Sequence, residues 1–194
     1  MNKISVDPKA KALIFDIDGT LVDSMPLHYK AWVLVGDKYG FTFGKQLFYE
    51  LAGVPTPQIA RVVQDRYRVS TPIQVLSDEK ENTYVSLIDQ IKPLQPVVNV
   101  ALAYFGKLPM AAGTGSPREN AIKTLETIDL QDIFDVIVTY EDVENPKPAP
   151  DTFLLCAEKL KVKPSDCQVF EDGDPGIEAA FKAGMMVTDI KNYI

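Results

Sequence analysis

The chain of 194 residues has little of several things that would narrow its role quickly. It carries only two cysteines, Cys156 and Cys167, too few for a disulfide framework. Cys156 sits in the apolar run Phe153-Leu154-Leu155-Cys156-Ala157, which reads as a buried thiol in a reducing compartment. Cationic runs are missing, and 27 acidic against 20 basic residues give a net charge of −7. Binding a nucleic-acid backbone needs a basic face, so nucleic acid is not an expected partner. An anionic substrate would have to be captured by a local cation cluster or a metal. No apolar stretch approaches the length needed to span a bilayer, so no membrane partner is expected. Met1 to Lys11 carries charges and a proline but no apolar core, unlike a signal peptide. These absences point to a cytoplasmic globular protein, and 46% hydrophobic with 24% charged residues is ordinary for that class.

Short apolar runs recur at Ala10–Phe15, Leu108–Ala112, Phe134–Thr139, Cys167–Phe170 and Met185–Ile190. Segments of helical spacing lie between the later ones, near Arg118–Leu130, Pro150–Leu160 and Asp174–Ala183. Strands alternating with helices predict a doubly wound, Rossmann-like parallel sheet whose site lies at the strands' carboxyl ends. Between Ser24 and Ile91 no buried-strand run appears, and helical spacing dominates, with prolines at 26, 55, 57, 72 and 93 marking boundaries. This predicts an all-helical insertion forming a second small domain: residues 1–24 and 94–194 as the α/β core and 25–93 as the helical domain.

Four constellations carry chemistry. Asp16-Ile17-Asp18-Gly19-Thr20 follows the first strand, where Gly19 permits a turn that could face both carboxylates into one pocket. The same string could equally be a solvated loop. Gly113-Thr114-Gly115-Ser116 offers backbone amides and two hydroxyls to an anion, although Ser116, before Pro117, is also placed to cap the next helix. Lys147 is flanked by Pro146, Pro148 and Pro150, which restrict where it can point. Glu171-Asp172 follows the fourth strand, where adjacent acids repel unless a cation sits between them; Mg²⁺ suits such oxygen ligands. Asp174, before Pro175, reads as an N-cap.

In this order the four resemble the motifs of the haloacid dehalogenase superfamily, with the helical insertion where that family carries its cap. Asp23-Ser24, the stretch His28-Tyr29-Lys30-Ala31-Trp32 and Lys147-Pro148-Ala149-Pro150-Asp151 look like its β-phosphoglucomutase-like branch. The run from Lys147 through Cys156, with Gly113-Thr114-Gly115-Ser116, is most similar to that branch's small sugar-phosphate phosphatases, including fructose-1-phosphate phosphatases. The resemblance implies a monomeric, Mg²⁺-dependent phosphatase acting on a small phosphorylated metabolite. In it Asp16 is the nucleophile, Asp18 the acid and base, and Lys147 and Thr114 stabilise the transferred group. Asp16, Asp172, the Asp18 backbone carbonyl and Glu171 are the metal ligands it implies, with Gly115 and Ser116 on the substrate.

The cap carries the finer expectations. By resemblance His28 takes part in closure or proton handling. Lys80 matches a lysine that reaches substrate phosphate in the mutases, although within Asp-Glu-Lys-Glu it reads as a solvated lysine. The mutases' phosphate-clamping lysine and arginine fall on Ala52 and Thr56, leaving Arg61 as a substitute cation. That loss implies a phosphatase rather than a β-phosphoglucomutase. A phospho-aspartate receiver domain, the reading from another class, has no large helical insertion.

Overall fold

The computed structural model describes residues 4–194; Met1–Lys3, the first residues of the stretch read above as no signal peptide, lie outside the described residues. Five strands form one parallel sheet: β1 (Ala12–Phe15), β2 (Met110–Gly113), β3 (Val136–Val138), β4 (Cys167–Glu171) and β5 (Met186–Asp189), in the order β3-β2-β1-β4-β5. All four pairings are parallel. The central strand shows why its sequence is continuously apolar. Leu13 and Phe15 join the core on one face, Ala12 and Ile14 that on the other, so neither face can be polar.

Helices α5 (Gln95–Tyr104) and α6 (Arg118–Thr127) supply Val97, Ala101, Ala121 and Leu125 to the first face. Helices α7 (Asp151–Leu160) and α8 (Asp174–Lys182) supply Phe153, Cys156, Ala179 and Ala180 to the second. The expected fold class, a doubly wound α/β sheet with a helical insertion, is the one observed. Each expected strand is present. Helix α5 was not foreseen, and α6 ends three residues early, where Asp129 takes a left-handed φ of 57°.

The insertion after β1 holds α1 (Met25–Tyr39), α2 (Lys45–Glu50), α3 (Thr56–Tyr67) and α4 (Ile73–Val85). Prolines stand where the spacing placed boundaries: Pro26 in the first turn of α1, and Pro55 and Pro72 immediately before α3 and α4. The insertion has an apolar cluster of its own, built on Trp32, Val35, Phe43, Phe48, Ile59 and Leu76. Other residues of the same helices, Leu27, Ala31 and Tyr84, join the core on the sheet. The described residues contain no helix long and apolar enough to cross a membrane.

Candidate active site

The register of the sheet assembles the site. Phe15 is level with Ala112 on β2 and with Phe170 on β4, so the residues that follow each strand emerge side by side. The Asp16 amide continues the ladder, donating to Phe170 O at 3.0 Å, and the Thr114 amide donates to Val138 O at 2.9 Å. Asp16 and Thr114 are thus fixed by β-sheet hydrogen bonds at the carboxyl edge. Beyond Asp16 the chain turns back at once, with the amides of Leu21 and Val22 both donating to Ile17 O. Gly19, at a φ of +90°, lies against Asp172: a Cβ there would fall 2.3 Å from Asp172 Oδ2. Gly19 therefore serves two needs, a left-handed backbone and the close approach of motifs one and four.

Lys147 is fully buried and joins three strand ends. Its ammonium donates to Asp16 Oδ1 at 2.7 Å, to Glu171 Oε2 at 2.7 Å and to Gly113 O at 3.0 Å. Glu171 Oε1 accepts from the amides of Asp172 at 3.1 Å and Gly173 at 2.9 Å, so both its oxygens are engaged. Asp172 Oδ1 accepts from Thr20 Oγ1 at 2.8 Å. Among the described hydrogen bonds, Asp16 Oδ2 and Asp172 Oδ2 have no partner. Oxygens of Asp16, Glu171 and Asp172 lie within 4.8 Å of one another.

Charge in this cluster does not balance: one ammonium faces three carboxylates. Burial pulls the Lys147 ammonium down, but Asp16 and Glu171 outweigh it and hold it charged. Burial first, and Glu171 second, push Asp16 well above the usual carboxylate range despite Lys147. The same two causes push Asp172 up to about 7. Buried acids that resist ionisation, with two free oxygens between them, are a donor set fitted to a hard divalent cation.

Asp18 has the opposite surroundings. Its side chain turns away from the acidic cluster and accepts three hydrogen bonds: from Ser24 Oγ at 2.7 Å, His28 Nε2 at 3.0 Å and Ser116 Oγ at 2.7 Å. Burial alone would raise its pKa, but His28 and the two hydroxyls win and hold it well below the usual carboxylate range. Any metal contact by Asp18 thus falls to its backbone carbonyl. His28 stacks on Tyr84 with ring centres 3.9 Å apart, and its Nδ1 lies 2.9 Å from Lys80 Nζ. An ammonium can only donate, so Nδ1 is the acceptor and Nε2 carries the proton given to Asp18.

Three expectations need correction. Ser116 does not cap α6: Pro117 occupies that position, and the Ser116 hydroxyl is drawn to Asp18 instead. Asp174 is not an N-cap; Gly173 is, and Asp174 pairs at the surface with Lys191. Lys80 is not solvated but buried, bonded to His28, Thr56 and Glu81. Arg61 is exposed and does not line the site. Gly115 meets the insertion, since a Cβ there would lie 2.5 Å from Gly53 O in the loop before α3. Thr114, Gly115, Ser116, His28, Thr56 and Lys80 line one cavity of about 50 Å³ together with Asp16 and Asp18.

Several participants were not singled out from sequence. Thr20 follows Gly19 directly, and its place in the first motif was the available signal. Glu81 and Asn120 meet at 2.5 Å across the gap between α4 and α6, a contact spanning 39 positions that carries no local signature.

Comparison with known proteins places this arrangement. The chain is 42% identical over 180 residues to the fructose-1-phosphate phosphatase YqaB of Escherichia coli, covering 92% of this chain and 95% of that protein. It is 32% identical to a phosphorylated carbohydrates phosphatase of Thermotoga maritima, covering 90% and 82% of the two chains. The crystal structure of a β-phosphoglucomutase from Clostridium difficile superposes with a TM-score of 0.83 at 27% identity, covering 94% of this chain and 86% of that one. The pattern of the haloacid dehalogenase-like hydrolase family matches residues 13–190, which includes all four strand-end motifs. With its carboxylates, lysine and threonine gathered at one sheet edge under a helical insertion, the chain belongs to the haloacid dehalogenase-like hydrolases.

Proposed function

We propose that the protein is a Mg²⁺-dependent phosphatase that hydrolyses a small sugar monophosphate of the fructose 1-phosphate kind, through an aspartyl-phosphate on Asp16. The observation that carries this reading is Asp16 itself. Lys147 holds one of its oxygens while the other is free beside a cavity that Thr114, Ser116 and Asp18 also line. The names of the relatives at 42% and 32% identity supply the substrate class.

Asp16, Asp172 and the Asp18 carbonyl, with Glu171 closing the acidic set, would hold Mg²⁺, which when bound would offset the repulsion between carboxylate and phosphate. The chain's own groups do the rest. One carboxylate oxygen of Asp16 forms the new P–O bond as the bond to the sugar oxygen breaks, the other stays with the cation, and neutral Asp18 gives the sugar oxygen a proton. The Thr114 hydroxyl faces the charge on the phosphoryl oxygens, while Lys147, with its three donors on Asp16, Glu171 and Gly113, holds Asp16 in place and offsets the negative charge beside it. Asp18, now ionised and held by three donors, takes a proton from water; the water oxygen bonds to phosphorus, and Asp16 leaves. The described state, with Asp18 depressed, is the one suited to this second step.

A pocket for a ligand of this size spans roughly 300 Å³ or more. The cavity of about 50 Å³ is too small for such a ligand as it stands, so residues 25–93 act as a cap domain that moves away from the core, 1–24 and 94–194, to admit substrate. Incubation with β-glucose 1-phosphate and a trace of the 1,6-bisphosphate, beside fructose 1-phosphate, tests the reading. Free phosphate from fructose 1-phosphate is the expected result; faster accumulation of glucose 6-phosphate would establish a mutase.

A further inference from the structure

Lys80 is the cation on the helical side of the cavity, among otherwise apolar or small residues such as Met25, Trp32, Phe48, Val54 and Ile59. An ammonium has three N–H donors. All three are taken inside the protein: His28 Nδ1 at 2.9 Å, Glu81 Oε1 at 3.0 Å and Thr56 Oγ1 at 3.3 Å. Thr56 is committed as well, for its hydroxyl donates to Glu81 Oε1 in a short hydrogen bond. Glu81 thus holds both polar groups that α3 and α4 present to the cavity. Its second oxygen accepts from Asn120 Nδ2 on α6, at 2.5 Å. The side chains form one path that leaves the sheet at Asp18, runs through His28, Lys80 and Glu81, and returns to the core at Asn120. Glu81 itself lies outside the cavity lining, so it acts through Lys80 and Thr56.

We infer that Glu81 is a positioning residue that sets specificity: by neutralising Lys80 and holding Thr56, it leaves the helical side of the cavity lining without a free lysine or arginine, so sugars with one phosphate are accepted and sugars with two are rejected. A second phosphate at the far end of the sugar would meet apolar side chains and an ammonium already paired with a carboxylate. Desolvating that dianion without a partner is costly. The inference rests on the phosphatase reading above and extends it from the reacting phosphate to the far end of the substrate.

Steady-state rates with fructose 1-phosphate and fructose 1,6-bisphosphate test it in the wild type, E81Q, E81D, N120A and the double variant E81Q/K80M. In E81Q the KM for the bisphosphate should fall about tenfold relative to that for the monophosphate, with kcat changing less, because Lys80 gains an uncompensated charge. E81D keeps the carboxylate and should keep the wild-type preference. Adding K80M should abolish the gain. N120A removes only the tie to the core, so it should raise both KM values without altering their ratio. An unchanged ratio in E81Q, or a gain that survives K80M, overturns the inference. Calorimetric binding of both sugars to Asp16→Asn proteins, with and without E81Q, separates the two claims. Absence of turnover in the wild type sinks the phosphatase reading alone. Equal bisphosphate binding with and without E81Q, including no binding in either, sinks the role of Glu81.

Discussion

Two clusters of buried charge meet at the cavity, and they are built on opposite plans. Around Lys147 three carboxylates share one ammonium, and Asp16 and Asp172 are pushed up in pKa. Along Asp18, His28, Lys80 and Glu81 each acid has its donors, and both acids are pushed down. In Glu81, as in Asp18, burial works against ionisation and is overcome, there by the Lys80 ammonium first, with hydrogen bonds from Thr56 and Lys80 adding to it. The first cluster is left with an excess of negative charge, while in the second the acids and donors are matched. On the proposed function, chemistry that needs a metal is kept apart from chemistry that needs a fixed proton, although Asp16 and Asp18 stand only two positions apart.

The sharpest way to break this contrast is Asp16→Asn. It should lower phosphate release by roughly a thousandfold or more, since the proposed nucleophile is lost. The variant should melt no lower than the wild type in chelator, because the removed charge was opposed by burial and by Glu171. Residual turnover within tenfold of wild type would refute a covalent role. A large drop in melting temperature would refute the charge imbalance.

Metal removal comes next. Excess chelator should abolish activity, and Ca²⁺, which is larger and takes more ligands, should inhibit rather than restore it. Stability carries a second signature of the same site. With Asp172 at about 7 against an ordinary 3.8, and Asp16 also raised, the folded protein binds more protons than the unfolded chain between about pH 4 and 7. Metal-free stability should therefore fall as pH rises through that window. At equal free Mg²⁺ the gain in melting temperature should be larger at pH 8 than at pH 5.5. Asp18 and Glu81 have the opposite sign: their contribution is present above the ordinary carboxylate range and is lost as pH falls through their lower folded values. The two clusters thus act in separate pH windows. A Mg²⁺ effect independent of pH would remove the distinction.

How much of this could be read from the chain follows the same division. On the metal side Asp16, Glu171 and Asp172 are legible because each stands at a strand end, and a strand buried on both faces announces itself as an apolar run. Lys147, in the loop between β3 and α7, stands out instead by the prolines on either side of it. The cap-side cluster was half legible. His28 and Lys80 were noticed, but Lys80 inside Asp-Glu-Lys-Glu has the composition of a solvated face. Only tertiary packing, which stacks Tyr84 on His28 and buries Lys80 behind it, reverses that reading. Ser116 was misread for a similar reason. A serine before Pro-x-x-x at a helix start is ordinarily a cap, and nothing local reports a carboxylate 98 positions away. Helix α5 is not legible in the sequence because its Val-Val-Asn-Val-Ala-Leu-Ala stretch is too apolar to show a clear helical stripe.

A smaller effect is expected in the proton-holding cluster. His28→Gln should lower kcat by about tenfold to a hundredfold, since it takes a donor from Asp18 and an acceptor from Lys80. Because His28 is the single histidine, one ¹⁵N-labelled imidazole signal reports its tautomer directly. The wild type should show a protonated Nε2 and an unprotonated Nδ1. The reverse tautomer would mean that Lys80 does not donate to the ring and that the chain is broken at its centre.

The smallest effect belongs to Ser24, and it separates a catalytic contact from a structural one. Ser24 is the residue before α1, where a serine normally accepts a hydrogen bond from the first turn. It makes no such bond here; its φ and ψ, −96° and −16°, are helical, and its hydroxyl donates to Asp18. Ser24→Ala therefore removes no cap, and the melting temperature should move by no more than a few degrees, from one lost hydrogen bond of about 1 kcal/mol. Asp18 keeps His28 and Ser116, so it stays below the usual carboxylate range, though less far below. Relief of that depression makes the neutral, proton-giving form easier to reach and weakens the base. The acid step should gain slightly, the water step should lose, and kcat should fall about threefold to fivefold if the water step limits turnover. Burst kinetics read which step it is: Ser24→Ala should enlarge the burst of released sugar relative to phosphate. An unchanged burst with a falling melting temperature would return Ser24 to the helix cap and leave Asp18 with two working donors.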